Sequence, residues 1–256
     1  PVVSLLDTMV DGREFESLLK IKQVNIDVLT EIRRALKDIS DLRNRPNIAY
    51  MANVINPNIK AVRSIEYSDD LPFSELVNTV SAGAKNLDVI LVTPGGSGTQ
   101  VAKFVDKLRP KFDNVSFIIP NRQIDPKEIG NAINGSKYSV ELVENYLHDY
   151  KFKNWIAHSN GTPVTKGQKR QRANEIANQL CKHSLWKTHD HGITREIAWE
   201  VCKLKITHSE TIPGLDRAIK RFWALFYWLF ENTPVFKTFV SESYSLMRRD
   251  KALITQ

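Results

Sequence analysis

The run Thr93-Pro94-Gly95-Gly96-Ser97-Gly98 carries the strongest chemical signal in this 256-residue chain. A phosphate-binding loop needs Lys followed by Ser or Thr after its last glycine, and Gly98 is followed by Thr99-Gln100 instead. A dinucleotide fingerprint needs a glycine where Val101 stands. A nucleophile elbow, Gly-x-Ser-x-Gly, misses its last glycine at Thr99. The chemistry that survives is an oxyanion hole. Glycines let backbone N–H groups approach a developing oxyanion with no Cβ in the way, and Pro94 fixes the entry to the turn. A tight strand-to-helix turn without chemistry accounts for the same residues. On the oxyanion reading the donors are Gly95 or Gly96, and a β-branched residue at position 96 blocks acylation while leaving the fold intact. Ser97 is placed to cap the next helix or to hydrogen-bond a peptide backbone rather than to attack a carbonyl.

Other reactive residue types give less. His189-Asp190-His191, with His183 nearby, suggests a metal, but residues two apart point away from each other on a helix. Cys181 and Cys202 have no zinc-ligand spacing. The expectation is no metal and no cofactor.

The elements around the turn follow from periodicity. Val28, Leu29, Ile32, Leu36 and Ile39 mark an amphipathic helix that ends before Arg45-Pro46. Asn47 to Val54 reads as a buried strand closed by Asn56-Pro57-Asn58. Ser68-Asp69-Asp70-Leu71-Pro72-Phe73 carries cap and first-turn signals for a helix running to Val80. Val80-Ser81-Ala82-Gly83 is the end of that helix and a loop. Leu87 to Val92 is a continuous apolar strand, as in a parallel sheet covered on both faces. The glycine turn, a helix over Val101–Leu108 and a strand over Val115–Ile119 complete a βαβ unit, with the glycines at the strand's carboxyl end. After Pro120 strand signals stop, and Glu128–Tyr150, Lys169–His183, Thr194–Leu204 and Gly214–Phe230 read as helices. The aromatic run Arg221 to Phe230 is a core helix or a subunit contact. A lower-ranked alternative, drawing on Lys220, Arg221 and Lys237 as flanking charges, is a helix on a membrane surface.

Composition is ordinary for a globular chain, at 42% apolar and 25% charged, which argues against a largely disordered one. The net charge of +7 is uneven. Residues 151–256 hold 18 basic and 9 acidic side chains, whereas residues 1–150 hold 18 and 20. Such an excess suits a solvated helical face, or an acidic partner, nucleic acid or membrane surface. No run of about 18 apolar residues exists to span a bilayer. No basic-then-apolar signal segment opens the chain. Two cysteines make no disulfide framework, which points to a reducing, cytoplasmic setting. The opening Pro1 reads as a start inside a longer gene product.

Thr93-Pro94-Gly95-Gly96 after an apolar strand resembles the Pro-Gly-Gly turn of the Clp/crotonase fold. More closely, the chain resembles the serine dehydrogenase proteinases, Clp-fold serine peptidases related to signal-peptide peptidase A. The resemblance runs through Asp69 to Phe73, Leu87 to Leu108, Lys111-Phe112-Asp113 and Phe117 to Pro120. It continues through Glu144 to Leu147, Tyr150 to Lys153, Arg172 to Ala177, Trp186 to His189 and Gly192 to Glu196. It implies a Clp/crotonase-like α/β fold with a parallel core over residues 47–150, an N-terminal helical segment over 1–46 and a basic helical C-terminal region over 151–256. It implies acyl transfer to a serine, a peptide or protein substrate, and homo-oligomers.

One part of the family pattern is missing. There, the strand ending at the position of Pro120 leads into a Ser-Ala-Gly element whose serine is the nucleophile. Here Pro120 runs directly into Asn121-Arg122-Gln123-Ile124-Asp125-Pro126. Either a stretch of tens of residues belongs near 120–121, or the chain is an inactive relative that serves as a scaffold binding a protein or nucleic acid through its basic region. Related signal-peptide peptidases use a lysine base, and Lys137, which follows Gly135-Ser136, is the candidate here, a solvated surface lysine being the alternative. It stands at the head of a helix, where the dipole disfavours its charged form. No nucleotide or pyridoxal site accompanies the pattern.

Overall fold

In the computed structural model, residues 5–20, 27–120, 136–180 and 195–251 are described. They fall into two compact units. The first comprises residues 1–121 and 207–256, the second residues 122–206.

The first unit opens with two short helices, α1 (Leu5–Thr8) and α2 (Glu14–Lys20), followed by α3 (Val28–Arg43). The Asp27 side chain caps α3 by accepting from the Thr30 N–H, and Asn44 closes it in the left-handed conformation just before Pro46. Then come β1 (Asn47–Ala52), a 3₁₀ turn at Tyr67–Asp69, α4 (Asp70–Asn78), β2 (Asn86–Val92), α5 (Gly98–Leu108) and β3 (Asn114–Ile118). The chain crosses the second unit in α6 (Ser136–Tyr146), α7 (Lys166–Leu180) and α8 (Arg195–Glu200). It returns to the first as α9 (Leu215–Asn232), β4 (Val235–Val240) and β5 (Ser245–Arg249).

The five strands form one mixed sheet in the order β3-β2-β1-β4-β5. β1, β2 and β3 are parallel, with Ile48 opposite Val89 and Val89 opposite Phe117. β4 runs antiparallel to β1, placing Lys237 opposite Ala52, and β5 pairs antiparallel with β4. This corrects the expectation that strands end at Pro120 and that residues 151–256 are helical throughout. Val235-Phe236-Lys237-Thr238-Phe239-Val240, bounded by Pro234 and Ser241, has strand composition, but Lys237 interrupts its apolar run.

Every residue of β1 is buried, because apolar layers cover both faces. On one face Ala49, Met51, Ile90 and Val92 meet Ile32, Leu36 and Ile39 of α3 and Phe222, Phe226 and Phe230 of α9. On the other, Ile48, Tyr50, Leu87 and Val89 meet Phe73 and Leu76 of α4 and Phe104 of α5. The aromatic run is therefore a core helix. Its three phenylalanines, four residues apart, form one stripe, each burial contributing roughly 1.5–3 kcal/mol. Lys237 belongs to a buried strand position and cannot flank a membrane-surface helix.

In the second unit, Asn174 of α7 donates to Glu144 of α6 at 2.7 Å, and Ala173, Ile176 and Ala177 form the buried face of α7. This unit has 14 basic and 9 acidic residues, so most of the chain's +7 resides here. Part of that charge is engaged internally. Arg170 meets Glu144 and Asn145, and Arg172 meets Glu175 and the Cys202 carbonyl. Among the described residues, no helix is long and apolar enough to cross a membrane.

Candidate functional site

Parallel strands deliver their carboxyl ends to one edge of a sheet, and the glycine turn follows β2 at that edge. Gly95 and Gly96 both have positive φ, 96° and 147°, a region that side-chain-bearing residues rarely enter. Within the turn the Thr93 hydroxyl donates to the Gly95 carbonyl at 3.0 Å and accepts from the Gly95 N–H at 3.2 Å. The Ser97 hydroxyl accepts from the Gln100 N–H and caps α5, as its position in the sequence suggests. The Gln100 side chain reaches Asp70 at 2.8 Å, and this bond, with Lys107 beside it, holds the Asp70 carboxyl below the usual carboxylate range.

A strap of chain, Ser64-Ile65-Glu66, lies along the turn. The Ile65 N–H donates to the Gly95 carbonyl at 2.8 Å, and the Ser97 N–H donates to the Ile65 carbonyl at 3.0 Å. This is a parallel bridge between Ile65 and Gly96. In that register the groups facing Ile65 belong to Gly95 and Ser97, so the Gly96 amide faces the opposite way. Among the described residues, nothing accepts a hydrogen bond from the Gly96 N–H.

The close approach of the strap overturns the expectation that a β-branched residue at Gly96 spares the fold. A Cβ built there lies 2.8 Å from the Ile65 Cα and closer still to the Ile65 N and O. The turn needs glycine at position 96 so that the strap can lie against it.

Behind the strap is a group of polar side chains. Lys237 is 1% exposed and Asp69 is fully buried. The Lys237 ammonium donates to Asp69 Oδ2 and to the Ser64 carbonyl, both at 2.7 Å. The same Oδ2 accepts from the Tyr50 hydroxyl at 3.1 Å and the Glu66 N–H at 2.9 Å, while Arg248 donates to Oδ1 at 3.1 Å. Burial pushes the Lys237 ammonium below the usual lysine range, and the Asp69 carboxylate opposes that shift. Burial also pushes the Tyr50 hydroxyl up, helped by the same carboxylate, so Tyr50 is a neutral donor.

The structure thus gathers Gly95, Gly96 and Ser97 in one turn of the first unit. Lys137 lies in the first turn of α6, in the second unit, and its side chain is outside the described residues. His183, His189, Asp190, His191 and Cys181 also lie outside them. Among the described residues, no three His, Cys, Asp or Glu side chains are grouped to hold a metal ion. Sequence reasoning missed the strap and the Lys237–Asp69 pair. The available signal was a single lysine inside an otherwise strand-like apolar run, a position where charge is rarely buried without a partner. Comparison of the chain with protein-family models, curated proteins and solved structures gives no match.

Proposed function

We propose that this protein is a Clp-type serine peptidase and that its glycine turn supplies the oxyanion donor for acyl transfer. The observation that carries the reading is the Gly96 N–H. It sits at the carboxyl end of a parallel strand, faces away from the strap and has no acceptor among the described residues. A carbonyl of an extended peptide brought to that side would accept from it in the ground state. Its hydrogen bond would strengthen as negative charge develops on the oxygen. Gly95, the other candidate, already donates to Thr93.

The chemistry requires a serine Oγ to attack the peptide carbonyl while a base takes its proton. The resulting tetrahedral oxyanion collapses to an acyl-enzyme, expelling the amine, and water then releases the acid. Ser97 is assigned to the helix cap, with substrate-backbone contact a further role, and Lys137, the base expected from the sequence, belongs to the other unit. The position that holds the family's nucleophile, directly after Pro120, is occupied by Asn121 in this chain, so the attacking serine is one to be located by labelling. The family resemblance implies a homo-oligomer acting on peptides or proteins, and the sparse cysteines suit a cytoplasmic setting.

A second reading is favoured by a specific feature: Pro120 continues into Asn121-Arg122-Gln123 without a serine. On that reading the turn binds a peptide backbone without cleaving it, and the basic second unit holds a partner. Treatment of the protein with a fluorophosphonate, followed by tandem mass spectrometry, separates the two. The peptidase reading expects one adduct, on a single serine of the chain. A folded protein with no adduct would leave the scaffold.

A further inference from the structure

Lys237 and Asp69 come from distant parts of the chain, are among its most deeply buried charges, and take no part in the acyl transfer described above. Their contacts converge on the two residues that flank Ile65. Lys237 Nζ holds the Ser64 carbonyl, and Asp69 Oδ2 holds the Glu66 N–H. Ile65, in turn, holds the two residues that flank Gly96, through the Gly95 carbonyl and the Ser97 N–H. The order of contacts is therefore ion pair, strap, glycine turn: side chains hold the strap's main chain on both sides of Ile65, and Ile65 holds the turn's main chain on both sides of Gly96. Tyr50 and Arg248 complete the coordination of Asp69, so its carboxylate has little freedom to rotate away.

We infer that Lys237 and Asp69 are positioning residues that fix the strap against the glycine turn and so aim the Gly96 amide at the substrate carbonyl. The inference rests on the acyl-transfer reading for what the amide is aimed at, but not for the mechanical coupling itself. A buried ion pair is a costly way to stabilise a core, because desolvation offsets much of the Coulomb attraction, and apolar residues of similar volume commonly serve as well. What an apolar pair cannot do is hold a carbonyl on one side of Ile65 and an N–H on the other.

Residue-resolved amide hydrogen exchange on the full chain tests this. The variants are Lys237→Met and the paired Asp69→Leu with Lys237→Met, in which no charge is left buried alone. In both variants the Ile65 and Ser97 amides should accelerate roughly tenfold or more beyond any acceleration that the ladder amides of β1 and β2 undergo. Unchanged exchange at Ile65 and Ser97 would overturn the inference. So would acceleration of Ile65, Ser97 and the ladder amides by one common factor, or failure of the paired variant to fold, since either assigns the pair to general stability. The readout involves no turnover, so its outcome is independent of whether the protein hydrolyses peptides.

Discussion

Gly96→Val destabilises the first unit by more than about 3 kcal/mol, the cost expected when backbone strain and a steric overlap coincide. The residue at 96 has φ 147°, which disfavours any side chain, and its Cβ falls on the backbone of Ile65. The overlapping atoms are main chain, so no rotamer change relieves them. The strap must lift, and the two hydrogen bonds that Ile65 makes to Gly95 and Ser97 are lost with it. Gly83→Val is the control. No atom lies within 4 Å of a Cβ built there, and its effect stays within about 0.5 kcal/mol. Urea denaturation of the two variants measures the contrast. Equal stabilities would mean that the strap does not lie on the turn.

Asp69→Ala costs about 3–5 kcal/mol, the range for removing one partner of a buried ion pair. The substitution leaves the Lys237 ammonium, 1% exposed, with only the Ser64 carbonyl, and strips the acceptor from Tyr50 and from the Glu66 N–H. Arg248 retains Ser68, so the loss falls mainly on the buried members. For a folded unit of this size the melting temperature should drop by roughly 10 °C. Pairing Asp69→Leu with Lys237→Met should recover most of the loss, because neither charge then remains inside. Thermal unfolding of the single and paired variants checks both statements. An Asp69→Ala protein that melts with wild type would contradict the burial of a charged Lys237.

The sequence makes the parallel half of the sheet legible because its signals are local. Leu87 to Val92 is apolar without interruption, Val101 to Leu108 has helical period, and the glycines fall between them. These three features suffice to draw a βαβ unit with its turn at the carboxyl edge of the parallel strands. The antiparallel half was hidden for a physical reason. Lys237 lies in a strand whose pattern a charge should spoil, and only the partner Asp69, 168 residues away, makes its burial tolerable. Nothing near either residue announces the other. The strap was hidden in the same way, since Ser64-Ile65-Glu66 has no pattern of its own and is defined by the turn it crosses. The charge asymmetry was visible, but not that Arg170 and Arg172 use part of it within the second unit. Gly95 and Gly96 looked interchangeable as donors until the Thr93 hydroxyl was seen to take one of the two amides.

The most direct test of the central claim is the behaviour of the Gly96 amide itself. A peptide phosphinate carries a tetrahedral anion in place of the scissile bond and resembles the intermediate that an oxyanion hole binds. A mixture of N-acetylated tetrapeptide phosphinates, titrated into isotopically labelled full-length protein, should move the Gly96 amide proton downfield in a saturable manner, with Gly95 and Gly83 nearly unmoved. A Gly96 resonance that stays in place while the mixture reaches millimolar concentration would contradict the assignment of this turn to acyl transfer.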